Sequence, residues 1–78
     1  MISGLQIRMA RAALRWRVDD LSQKSGVPWA RIQLIERSNE ILEKNDEKAK
    51  KIKEIFEKNG IEFVNDKECA YDYVILKK

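Results

Sequence analysis

Residues 21–37 read LSQKSGVPWARIQLIER. Leu21 and Ser22 belong to the end of one helix, and Gly26 can take the positive φ that closes it, a conformation costly for any residue with a Cβ. Val27 precedes a proline and is pushed toward extended backbone. Pro28 then falls in the first turn of a second helix, where its missing N–H would have had no partner. From there Ile32 and Ile35, three apart, form an apolar stripe. Trp29, Ala30, Gln33 and Arg37 are left for other faces. Two short helices meeting steeply at a glycine turn, the second with a polar outer face, make a helix-turn-helix pattern of the kind that enters a DNA major groove.

Working outward, Ser3 can cap a first helix running to about Arg15, with Gln6 at the third helical position of a capping box. Ile7, Ala10, Arg11 and Leu14 share one face, while Arg8 and Arg15 point elsewhere. Trp16 follows and is expected to fold back under the second helix, which spans about 18–25. Asp19 and Asp20 stand in that helix's first turn, where carboxylates favour the positive end of the dipole. The third helix spans about 28–37.

Ser38-Asn39-Glu40 is turn-like, and Ile41-Leu42 offers a short apolar anchor. Asn45 is a good cap for a bracing helix over 45–59, whose stripe is Ala49, Ile52, Ile55, Phe56 and Asn59, closed by Gly60. The lysines at 48, 50, 51 and 53 alternate with Glu47, Glu54 and Glu57 and read as its solvated face. Beyond Gly60 the pattern turns to β. Ile61–Val64 and Tyr73–Leu76 are rich in branched and aromatic residues, and Asn65-Asp66-Lys67-Glu68 forms a polar turn region between them. An antiparallel hairpin over 61–77 follows. Ile61 and Phe63 are placed inward. On the second strand either Val74 and Leu76 or Tyr73 and Ile75 face the core, the former pair being favoured. Val64, Tyr73 and Ile75 then stay exposed beside unpaired edges and are candidates for a dimer contact.

Seventy-eight residues make one domain, 1–78, with 44% apolar residues for a compact core and 37% charged residues for a wetted surface. No apolar run approaches the roughly 20 residues of a membrane span. The N-terminal stretch has no continuous hydrophobic run and no cleavage site, so no secretory signal is expected. A single cysteine, Cys69, excludes an intramolecular disulfide framework and fits a reducing cytosol. A cytoplasmic, nucleoid-associated location is expected. The net charge of +3 is unevenly placed. Residues 1–37 hold seven basic against three acidic side chains, giving +4, and residues 38–78 hold nine against ten, giving −1. The positive field lies on the half with the outward-facing helix, as phosphate attraction requires.

Catalysis finds little support. There is no histidine, the lone cysteine has no partner base, and neighbouring helix positions such as Asp19 and Asp20 do not face one another. Three scattered glycines make no phosphate loop. A binding module without catalytic residues, cofactor or metal is the expectation.

Leu21-Ser22, Gly26-Val27, Ile32 and Ile35-Glu36 fall in the order and register of the Cro/lambda-repressor-like, or xenobiotic-response-element, helix-turn-helix family. The resemblance covers residues 5 to about 37. Gly60-Ile61-Glu62-Phe63 resembles the end of a compact bacterial form in which a long helix leads into a C-terminal hairpin. Ser22 departs from the family's usual alanine, and Arg17 stands where a Ser or Thr cap is common. The resemblance implies a mainly α fold, a four-helix lambda-repressor-like domain followed by an antiparallel hairpin. It implies base reading by Trp29, Ala30, Gln33 and Leu34, of which Gln33 can bond adenine and Ala30 can touch a thymine methyl. Trp29 has a competing reading, packing against helix one or a partner subunit. Pro28 lies among the exposed positions at the start of the third helix and is grouped with Arg17, Arg31 and Arg37 as phosphate contacts. Arg11 and Glu36 match a structural ion pair between the first and third helices. The implied function is a dimeric repressor of double-stranded DNA. The alternatives are an antitoxin that also binds a toxin protein, and an interaction adaptor that binds no DNA.

Overall fold

The computed structural model describes residues 2–43, 45–66 and 71–77. Eight elements follow in order: strand β1 (Ile2–Ser3), helices α1 (Gly4–Leu14), α2 (Val18–Ser25) and α3 (Trp29–Ser38), strand β2 (Ile41–Leu42), helix α4 (Glu47–Lys58), and strands β3 (Ile61–Asp66) and β4 (Tyr71–Leu76). The architecture is mainly α, with two small antiparallel sheets and a C-terminal hairpin. The core gathers Ile7 and Ala10 of α1, Leu21 of α2, Ile32 and Ile35 of α3, Ile52 and Phe56 of α4, and Ile61 of β3 around one centre.

The start of α1 shows why these helices hold their positions. An α-helix leaves its first N–H groups without internal partners. Here each has one. Ser3 N–H donates to Gln6 Oε1 at 3.0 Å, and Gln6 N–H to Ser3 Oγ at 3.2 Å, which is the expected capping box. Gly4 N–H donates to the Glu40 carbonyl at 2.9 Å, and Leu5 N–H to Asn39 Oδ1 at 2.8 Å. Asn39 is the left-handed residue (φ 52°) that ends α3, so one residue closes α3 and caps α1. The crossing is close: a Cβ on Gly4 would lie 2.2 Å from the Ile35 carbonyl oxygen.

Several boundaries differ from expectation. Helix α1 ends at Leu14, because Arg15 itself turns left-handed (φ 59°). Pro28 stands just outside α3 as its N-cap (φ −56°, ψ 139°) rather than in its first turn. Asp46, not Asn45, caps α4: its carboxylate accepts from Lys48 and Ala49 N–H at 2.8 and 3.2 Å, and an ionised acceptor suits the positive helix end better than an amide does. Ile41-Leu42 is more than an anchor. It pairs with Ile2-Ser3, burying Leu42 against Ile2 and leaving Ile41 exposed. Trp16 lies between α2 and α4, stacked on Phe56 at 5.4 Å with Lys24 Nζ 5.3 Å from its ring.

In the hairpin Phe63 opposes Val74, and Ile61 opposes Leu76. These four pack on the core, with Phe63 edge-on to Phe56, while Tyr73 and Ile75 are exposed. Asn65 and Asp66 extend β3; the remainder of the expected turn, and Cys69, lie outside the described residues. Gly60 turns the chain with φ 88° and accepts Lys77 N–H at 2.7 Å, so the hairpin's far end returns to its start.

Candidate nucleic-acid interface

The turn between α2 and α3 is held by its serines. Gly26 takes φ 77° and its N–H bonds to the Ser22 carbonyl, which ends α2. Ser22 Oγ donates to the Val27 carbonyl at 2.8 Å, and Val27 N–H donates to Ser25 Oγ at 3.2 Å. A buried Val27 pins the turn to the core. Ser22 therefore has a role: its hydroxyl ties the end of α2 to the start of α3.

With one side of α3 buried through Ile32, Ile35 and Glu36, the opposite side is presented outward. Trp29, Gln33 and Arg37, four apart, form one exposed row; Ala30 and Leu34 form the next, and Pro28 is exposed ahead of them. Trp29 is 46% exposed and Leu34 47%, values that place neither in the core.

Beneath that row sits the Arg11–Glu36 pair. Arg11 Nε donates to Glu36 Oε2 at 2.8 Å and Nη2 to Oε1 at 2.6 Å, a two-point fork, while Nη1 donates to the Trp16 carbonyl at 3.0 Å. The hydrogen bond to Glu36 raises the Arg11 pKa above its ordinary value; desolvation opposes the shift, and Coulomb attraction to Glu36 adds to it. The pair joins α1 to α3 and neutralises itself.

Two shallow concavities flank it. One, of about 400 Å³, is lined by Arg8, Arg11, Val18, Gln33, Glu36 and Arg37. The other, of about 390 Å³, shares Arg11, Val18 and Gln33 and continues past Trp16, Arg17, Asp19 and Trp29. Together they form a trough running from α1 along α3 to the start of α2. Arg17 precedes α2, and its backbone N–H is occupied by Asp20 Oδ2 at 2.8 Å, leaving the side chain exposed. Arg8, Arg17 and Arg37 have no carboxylate partner among the described residues.

Two arginines on this surface have neighbours that the sequence does not announce. Arg8, exposed and off the buried face of α1 as expected, lines the trough beside Gln33 and Arg37; its place one turn before Arg11 is the available signal. Arg31 lies on the other flank of α3, with Nη2 2.9 Å from Glu40 Oε2 in an ion pair lacking hydrogen-bond alignment, so its charge is already answered. The hairpin candidates Tyr73 and Ile75 are exposed and Val64 half-buried, all away from this trough. Among the described residues, no group of three or more metal-ligating side chains could hold an ion, and no helix is long and apolar enough to cross a membrane. Comparison with protein-family models, characterised proteins and solved structures finds no match.

Proposed function

We propose that this chain is a sequence-specific, double-stranded-DNA-binding transcriptional regulator acting as a repressor by occupancy, with α2 and α3 as a helix-turn-helix and α3 as the reading helix. The observation that carries the reading is the exposed row Trp29, Gln33 and Arg37, bordered by the guanidiniums of Arg8 and Arg17, which have no carboxylate partner among the described residues. In the trough Glu36 is engaged by Arg11, leaving Asp19 as the other carboxylate in the lining. A groove with that balance attracts phosphate, and a helix presented above it can reach base edges. In this reading Gln33 offers an amide for bidentate recognition of adenine, and Ala30 and Leu34 offer apolar surface for thymine methyls. A homodimer would set two such helices about 34 Å apart on one DNA face.

The test is selection of bound sites from random duplexes, followed by titration against salt. Affinity should fall steeply as salt rises, and Gln33→Ala should relax preference at one position by about 1–3 kcal/mol. Unchanged sequence preference in Gln33→Ala removes the base-reading role. A second reading is favoured by the exposure of Trp29 and Leu34 on the same face: a protein-docking surface, as an adaptor or a toxin-binding antitoxin would need. It predicts no duplex binding even at low salt for the adaptor, and a co-purifying protein for the antitoxin.

A further inference from the structure

We infer that Arg8 and Arg37 form a two-arginine clamp for a single phosphate of the duplex backbone, a contact made jointly by α1 and α3. The inference rests on the DNA-binding reading and adds to it a residue from outside the two helices of the turn.

Both side chains line the same concavity, of about 400 Å³. Its floor is Arg11 with Glu36, whose charges cancel through the two-point fork. What remains is the charge of Arg8 and Arg37, about +2 against no free carboxylate among the described residues of the lining. Two like charges brought to one hollow repel each other unless an anion enters between them, and an arginine fork suits phosphate oxygens. The frame is rigid enough to hold that geometry. Arg8 stands one turn before Arg11, and Arg37 directly follows Glu36, so the ion pair fixes the spacing of the two backbone positions from which these arginines reach the hollow. Gln33 lines the same hollow, so an anchored phosphate would set the register at which its amide meets a base. The hollow is open and polar, which suits a backbone phosphate passing over it better than an enclosed small molecule.

The experiment compares wild type with Arg8→Ala, Arg37→Ala and the double variant on one selected duplex over a salt series. Arg8 and Arg37 are exposed, so the variants should fold, which circular dichroism would check. Each single substitution should weaken binding roughly tenfold at low salt, the loss of one charge-assisted contact. Because one phosphate is shared, the other arginine still neutralises it. The slope of log K against log salt should therefore change little in either single variant and fall by about one in the double. Arg8→Lys should recover only part of the loss, since an ammonium lacks the fork. Duplex binding with Arg8→Ala indistinguishable from wild type overturns the clamp and leaves the regulator reading standing. A double variant losing about two units of slope overturns the shared phosphate. Binding of inorganic phosphate or a mononucleotide at millimolar concentration that needs Arg8 yet leaves duplex affinity unchanged assigns the hollow to free phosphate compounds and overturns the backbone contact. No duplex binding by wild type at low salt overturns both readings.

Discussion

Helix α1 is joined to α3 on one side and to the hairpin on the other, and the two joints use opposite chemistry. Toward α3 the contact is tight and charged. Gly4 brings backbone against backbone, two N–H groups cross to Glu40 and Asn39, and Arg11 grips Glu36. Toward the hairpin the polar tie among the described residues is neutral and comes from one side chain. Gln6, fully buried, donates from Nε2 to the carbonyls of Val64 and Tyr73, both at 3.1 Å, while its Oε1 caps its own helix. The charged joint positions the candidate interface; the neutral one holds the element with exposed apolar residues. A charge pair is directional and costly to break, whereas an amide bridging two carbonyls tolerates small shifts of the sheet. Orientation of α3 relative to α1 is therefore the more strictly specified of the two.

The charged joint is most vulnerable at Gly4. A methyl group there would meet the Ile35 carbonyl at 2.2 Å, and backbone cannot rotate away as a side chain would. Gly4→Ala should cost about 3 kcal/mol, at the upper end for overpacking, and should splay α1 from α3. Chemical denaturation measures the loss; a midpoint shift matching an exposed substitution would show that the crossing has slack.

A second substitution tests the charge itself. Glu36→Gln keeps the shape but strands the Arg11 guanidinium, which is 19% exposed, so the cost lies between buried and exposed limits, at about 2 kcal/mol. A double-mutant cycle with Arg11→Met separates the pair's coupling from the cost of the stranded charge. The pH sign is set by the raised Arg11 pKa. Its contribution is complete below arginine's unfolded value and is lost only as pH rises through the higher folded one. Titration into the lysine range, about pH 10.4, should therefore leave this joint intact.

Much of this architecture is legible in the residues, and the failures have physical causes. The periodicity of Ile32 with Ile35, the glycine at 26 and the Ser3–Gln6 box announce the helices and their order, because they are local signals within one or two turns. The alternation in 61–64 and 73–76 likewise places Ile61, Phe63, Val74 and Leu76 inward. Long-range polar ties are illegible in this sense. Nothing near Gln6 in the chain discloses carbonyls 58 and 67 residues away, and nothing near Asn39 discloses the open N–H of Leu5. The hollow that Arg8 shares with Gln33 and Arg37, and the Arg31–Glu40 pair, are illegible for the same reason. Helical position gives the direction of a side chain, but its neighbours come from whichever element packs there.

The third prediction sharpens the neutral joint. Gln6→Leu keeps volume but removes one capping acceptor and the donor to two part-buried carbonyls, for a cost of about 1–3 kcal/mol. Gln6→Glu should be worse than that change suggests at neutral pH, since a carboxylate would face the Val64 and Tyr73 carbonyls without a proton to offer. Amide exchange reads the difference from the first two variants. Loss of protection should begin in β3 and β4 while α1 and α3 stay closed. Uniform loss across all elements would mean that the two joints are one cooperative unit.

The smallest stability effect is expected on the hairpin's outer face, where the comparison bears on assembly. Ile75 is 40% exposed and opposes Glu62, whose carboxylate meets Lys77 Nζ at 2.6 Å; Tyr73 beside it is 38% exposed and opposes Val64. That exposed ion pair adds little to stability. Ile75→Lys therefore removes apolar surface without opening a cavity and should change monomer stability by no more than about 0.5 kcal/mol. If the face joins two copies, the same change puts a lysine into each side of an apolar contact and lowers the solution mass to that of the monomer. Duplex affinity should then drop far more on paired half-sites than on a single half-site, because one reading helix contacts few bases. A wild-type mass already equal to one chain on a paired site would remove the dimer and leave the hairpin as a brace for α1 alone.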